Sequence, residues 1–146
     1  KSEMSMGYST IYGDLAGGFA PLKDITKTMV YKLCTFYNRK NSKNKIPKQI
    51  ITREPTAELR HDQKDSDTLP SYEILDEVLS LYIEKFWTVN EISNSLSVSK
   101  SFVRKIINSV QRNEFKRRQG PPGVKVTDIS FGKDRRFPIT NGFENF

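Results

Sequence analysis

The run Arg112-Asn113-Glu114-Phe115-Lys116-Arg117-Arg118-Gln119-Gly120-Pro121-Pro122-Gly123 ends a helical pattern in three adjacent cations and then forbids the helix to continue. Pro121 and Pro122 lack backbone donors and fix φ, while Gly120 and Gly123 supply turn conformations, so the cations are presented as a cluster at a defined exit point. Phosphate is the natural guest of such a cluster. The plainer reading is a solvated basic helix end that complements the helix macrodipole.

Other residues carry chemistry only in company. In Glu54-Pro55-Thr56-Ala57-Glu58-Leu59-Arg60 a hydroxyl follows a proline turn, where a helix start could hold a phosphate through Thr56 and free amides, or where Thr56 is an ordinary cap. Lys27, three positions after the expected cap Asp24, could place an ammonium beside another helix start, or be an exposed lysine. Glu3, Asp14, Asp62, Asp65 and Asp67 offer oxygen ligands of the kind Mg²⁺ takes alongside substrate phosphates. His61, the only histidine, has no catalytic partner beside it and reads as a loop residue. There is neither a P-loop nor a Gly-x-Gly-x-x-Gly motif.

The elements that must position these groups follow from periodicity. Residues 1–23 are glycine-rich and read as a shaped loop. Asp24 is expected to cap a helix in which Ile25, Met29, Val30, Leu33, Phe36 and Tyr37 form one buried face. After a basic loop closed by Pro47, Gln49 to Thr52 reads as short and extended, and residues 53–70 as a long polar loop. Ser71 is placed to cap a helix with the apolar stripe Tyr72, Leu75, Leu79, Tyr82, Ile83 and Phe86. Thr88 and Glu91 have capping-box spacing and open a short helix to about Leu96; Ser99 caps another, whose Val103, Ile106, Ile107 and Val110 face inward and whose last turns reach the cations.

The 146 residues fit one domain, with 36% hydrophobic and 28% charged residues, a composition that folds rather than stays disordered. A net charge of +7 points to polyanionic partners without choosing among them. The single cysteine, Cys34, excludes an intrachain disulfide and a cysteine-based zinc site, and makes an intracellular compartment the default. No apolar run approaches the about 18 residues of a membrane span. The chain opens at Lys1, inside a motif-like segment, and is therefore expected to be a piece of something longer. Helix, turn and helix with a basic end over residues 88–118 is also the pattern of a helix-turn-helix DNA reader, with Lys100, Ser101, Arg104 and Lys105 available for phosphates or base edges. Against this, the strongest cations lie at the C-terminal end of the second helix, whereas base contacts normally come from its N-terminal half.

Taken together, Lys1-Ser2-Glu3-Met4-Ser5-Met6-Gly7-Tyr8-Ser9-Thr10, Tyr12-Gly13-Asp14-Leu15-Ala16-Gly17-Gly18, Pro21-Leu22-Lys23-Asp24, Thr26-Lys27, Pro55-Thr56-Ala57-Glu58-Leu59, Asp62-Gln63-Lys64-Asp65 and the Asn113 to Gly123 run resemble the synthetase domain of NAD⁺ synthetases. The likeness covers nearly the whole chain. It is nearest to the glutamine-dependent branch, which carries an Asn-Glu-aromatic-Lys-Arg-Arg-Gln run, whereas the ammonia-dependent branch usually has His in place of Phe115.

The resemblance implies a ligase. ATP would adenylylate the nicotinate carboxylate of deamido-NAD⁺ with loss of pyrophosphate, and ammonia, free or from glutamine, would displace AMP to form the amide. By motif position Glu3 would touch Mg²⁺ or deamido-NAD⁺, Tyr8 would pack on the pyridine ring, and Asp14 would bind the same dinucleotide. Lys27 and Thr56 would hold ATP phosphates, and Lys116, supported by Arg117, would face the pyridine carboxylate. Residues 1–146 would be the C-terminal, mainly helical part of an α/β, adenine-nucleotide-binding domain of the PP-loop ATP pyrophosphatase type, with most of its parallel sheet missing. The family's Ser-Gly-Gly-x-Asp-Ser loop and glutaminase domain are absent from this sequence, so the chain alone is expected to be inactive. A cytoplasmic homodimer or higher homo-oligomer, with no membrane and no specific nucleic acid among its partners, completes the expectation.

Overall fold

The computed structural model describes residues 1–41, 45–53, 70–140 and 142. In chain order these form α1 (Ser2–Met6), α2 (Lys27–Lys40), α3 (Lys48–Thr52), α4 (Tyr72–Ile83), α5 (Val89–Leu96), α6 (Lys100–Arg112) and α7 (Glu114–Gln119). Among the described residues there is no strand, only an isolated bridge between Phe131 and Arg135. The mainly helical expectation holds.

The core is made by α4, α5 and α6, whose inward positions follow the apolar spacing of the sequence. Leu75, Val78, Leu79 and Ile83 of α4 meet Ile92 of α5 and Val103, Ile106, Ile107 and Val110 of α6, with Phe137 from the tail closing one end. Each such side chain contributes about 1.5–3 kcal/mol by leaving water. The helix starts are fixed locally: Thr88 Oγ1 accepts from Glu91 N while Glu91 accepts from Thr88 N at 2.7 Å, and Ser99 Oγ accepts from Phe102 N at 3.2 Å. Ser97 turns the chain between them in the left-handed region at φ 54°. Across this core lies α1, touching α4 and α6, and α2 rests on α4.

Five local expectations are corrected. Residues 1–23 are not loop throughout, because Ser2 to Met6 form a helical turn that Gly7 stops at φ 72°. Thr26, not Asp24, caps α2; the Asp24 carboxylate accepts instead from Val126 N, Thr127 N and Thr127 Oγ1 at 2.8–2.9 Å, tying the tail down. The apolar stripe of α2 has no buried residue, and Met29, Leu33, Phe36 and Tyr37 are exposed, since periodicity predicts a face but not its cover. Gln49 to Thr52 are helical, led in by Pro47, whose fixed φ suits a helix start. Phe86 lies beyond α4 at φ 58°, with Arg135 stacked on its ring at 4.6 Å. The expected loop of residues 53–70 falls almost entirely outside the described residues.

Candidate functional site

Five residues cannot satisfy their own carbonyls, so the C-terminal end of α1 needs outside donors. They come from the joint between α6 and α7. Asn113 Nδ2 donates to Met6 O at 3.1 Å, Lys116 Nζ to Gly7 O at 2.6 Å and Ser9 O at 3.1 Å, and Arg117 Nη1 to Met4 O at 3.3 Å and Ser5 O at 3.2 Å. Gly7 is required at this crossing: a Cβ there would stand 2.0 Å from Asn113 Oδ1. Tyr8, half-buried against the core, is thereby flanked on both sides by carbonyls held by Lys116.

The three cations do not form the shared cluster expected from the sequence. Successive residues of a helix point about 100° apart, and buried Glu114 recruits two of them. Arg117 is buried, with Nε and Nη2 on Glu114 Oε2 at 3.1 and 3.0 Å, Nη2 also on Val110 O, and its guanidinium 4.5 Å from the Phe131 ring centre. Burial draws its pKa down and the Glu114 charge opposes that. Arg118 Nε pairs with Glu114 Oε1 at 2.5 Å. Lys116 has three donors, of which Gly7 and Ser9 take two, leaving one without a partner among the described residues.

Glu3 and Lys27 are brought together: Lys27 Nζ donates to Glu3 Oε1 at 2.7 Å and lies 5.6 Å from the Tyr72 ring centre. The joint beneath them is built by Ser2, whose hydroxyl donates to Asp76 Oδ1 at 2.5 Å and accepts from Lys27 N at 2.8 Å, while Asp76 Oδ2 accepts from Thr28 N at 2.9 Å. Asp14 is exposed and closes a turn by accepting from Thr10 N at 2.9 Å. Thr56 lies outside the described residues, as do His61, Asp62, Asp65 and Asp67. Residues 120–123 dock on the preceding loop: Ala20 N donates to Pro122 O at 2.8 Å and Lys23 Nζ to Pro121 O at 2.7 Å. Sequence reasoning missed Ser2, Asp76, Asn113 and Glu114 as builders of this region. Ser2, Asn113 and Glu114 carried a signal in their places within the quoted motifs, whereas Asp76 carried none.

A cleft of about 510 Å³ opens elsewhere, between α2 and α4, lined by Asp24, Thr26, Met29, Lys32, Asp76 and Glu84 among others. None of the described residues expected to bind ligand lines it. Three of its acids are engaged, Asp76 as above and Asp24 and Glu84 in ion pairs with Lys1 Nζ at 3.1 and 2.9 Å, and Glu73 and Glu77 also line it.

Among the described residues no group of three or more acidic, histidine or cysteine side chains could hold a metal ion. Glu3 is compatible with the lighter requirement of Mg²⁺, one carboxylate oxygen shared with substrate phosphates: its side chain is 48% exposed and only Oε1 is bonded to Lys27. Residues 88–118 do contain a helix, turn and helix, with Lys100, Ser101, Arg104 and Lys105 all exposed on α6. No described helix is long and apolar enough to cross a membrane.

The family model described as NAD synthase matches residues 1–120. Glutamine-dependent NAD(+) synthetases of Aquifex aeolicus and Acinetobacter baylyi are 50% and 48% identical to this chain over 143 residues, which cover 98% of it and 25% and 26% of theirs. The chain thus spans about a quarter of the length of the curated relatives it matches. A solved glutamine-dependent NAD(+) synthetase of Cytophaga hutchinsonii aligns with TM-score 0.73 at 21% identity, over 97% of this chain and 23% of that one, a likeness of fold.

Proposed function

Because the chain belongs to the NAD synthase family, we propose that it is part of a ligase that joins ammonia to the nicotinate carboxyl of deamido-NAD⁺ at the expense of ATP. A carboxylate oxygen attacks the α-phosphorus of ATP, the bond to pyrophosphate breaks, and ammonia then attacks the adenylylated carbonyl carbon. AMP leaves, the nitrogen gives up a proton, and the amide is NAD⁺. Glutamine is the proposed nitrogen source, as the relatives' names suggest for them.

The single observation that carries this reading is the Lys116 ammonium, anchored by two backbone carbonyls with one donor to spare beside Tyr8. A cation held this way stabilises charge on a carboxylate or its adenylylate without reorganising during reaction. Tyr8 packs on the pyridine ring, Asp14 binds the dinucleotide, and Arg117 supports Lys116 from behind by holding α1. Lys27 and Thr56 bind ATP phosphates. Glu3 would offer an oxygen to Mg²⁺ or touch the deamido-NAD⁺, and the ion would neutralise phosphate charge. The domain is of the PP-loop type, in a cytoplasmic homo-oligomer, and these 146 residues alone are inactive, lacking the Ser-Gly-Gly-x-Asp-Ser loop.

The test is Lys116→Ala in the full-length synthetase carrying these residues, with ATP, Mg²⁺, deamido-NAD⁺ and ammonia. A fall in kcat/KM of about 10²-fold or more is the size associated with one transition-state electrostatic contact. An unchanged rate removes Lys116 from the site.

A further inference from the structure

We propose that Asn113 is a positioning residue for the Lys116 ammonium, an inference that rests on reading Lys116 as the cation facing the ligand. Asn113 ends one helix and begins the next: its N–H donates to Ser109 O at 3.2 Å, and its carbonyl accepts from Lys116 N at 3.2 Å and Arg117 N at 3.3 Å. The direction of α7, and with it the starting point of the Lys116 side chain, is therefore set at this residue. Its side chain acts on the other half of the same contact. Nδ2 donates to Ser109 O at 2.8 Å and to Met6 O at 3.1 Å, so both amide hydrogens are spent, one on its own helix and one on α1.

Met6 immediately precedes Gly7, whose carbonyl Lys116 grips. Asn113 thus fixes both the helix that carries the ammonium and the backbone that receives it. Two of the three N–H bonds of a tetrahedral ammonium, once placed on Gly7 O and Ser9 O, determine where the third points. The bare Cα of Gly7 is what lets the asparagine come so close. Aspartate at position 113 would keep the volume but could donate to neither carbonyl, and would set a negative oxygen against both.

A double-mutant cycle in the full-length synthetase tests this: Asn113→Ala, Lys116→Ala and the pair, with kcat/KM for deamido-NAD⁺ and thermal unfolding measured for each. Asn113→Ala is expected to lower kcat/KM by about 10-fold or more, mainly through kcat, and to cost almost nothing further once Lys116 is alanine, because residues that act through one another are not additive. If Lys116→Ala is impaired but the two losses multiply, or Asn113→Ala keeps the parent rate, this inference falls and the reading of Lys116 stands. If Lys116→Ala keeps the parent rate, both fall. Should Asn113→Ala not fold, the uncharged Asn113→Ser, which keeps at most one of the two donors, is carried through the same cycle against the same criteria.

Discussion

Arg117 and Glu114 form a buried two-pronged pair, both guanidinium contacts landing on Oε2 at 3.1 and 3.0 Å, while Glu114 Oε1 is left for Arg118. One carboxylate therefore decides where two of the three cations go, and the remaining one, Lys116, is turned toward the loop of residues 7–9.

Glu114→Gln is expected to destabilise the chain by about 3 kcal/mol or more, since removing one partner strands a buried charge. Urea unfolding of the purified chain measures this. A loss below about 1 kcal/mol would show that the pair does not hold α7 in place.

Gly7→Ala should cost more than the about 1–2 kcal/mol of a left-handed alanine, because φ is 72° and the added methyl would also collide with Asn113 Oδ1. The midpoint of unfolding reports the total. In the double variant Gly7→Ala with Asn113→Gly the collision is absent, so the coupling energy between the two sites should be favourable.

The Asp24 carboxylate gives a pH signature. Burial alone would raise its pKa, but the amides of Thr127 and Val126, Lys1 and the Thr127 hydroxyl outweigh burial and hold it below the usual range. A carboxylate with a depressed folded pKa stabilises the fold above its unfolded value, and that stabilisation is lost as pH falls through the folded pKa. Asp24→Asn should therefore lower stability by about 2 kcal/mol near neutrality, and the gap to the parent should close below about pH 4. Unfolding followed from pH 7 to pH 2.5 checks this, and a gap independent of pH would place the stabilisation elsewhere.

The exposed Lys100, Ser101, Arg104 and Lys105 of α6 make DNA binding a measurable rival. The synthetase reading expects only weak attraction from net charge, with Kd about 10⁻⁴ to 10⁻⁶ M at physiological salt, falling steeply with added salt and indifferent to sequence. Competition between duplexes at two salt concentrations separates the cases. A preference of about 10³-fold for one duplex would favour a sequence reader.

What was legible in the sequence divides along physical lines. The α4–α6 core could be read because caps and apolar spacing are local: Thr88 with Glu91 and Ser99 with Phe102 behave as written. The family motif was legible too, and the matched family agrees with it. The fate of the cations was not, because Glu114 looks in sequence like one more helix-surface acid, and nothing local says that it will be buried under Arg117. Asp24 misled for the same reason. Its partners at 126 and 127 are about a hundred residues away, and the amides of a helix start two or three residues on were the nearer claim on its oxygen.

The face of α2 has a practical consequence for handling the molecule. Met29, Leu33, Phe36 and Tyr37 leave a contiguous row of apolar side chains in water, on a helix whose charged residues are all basic. Such a surface binds environment-sensitive dyes, adheres to matrices and drives reversible clustering as concentration rises. Raised salt would aggravate this by screening the lysines that keep copies apart. Light scattering of the purified chain should therefore increase with both protein concentration and ionic strength.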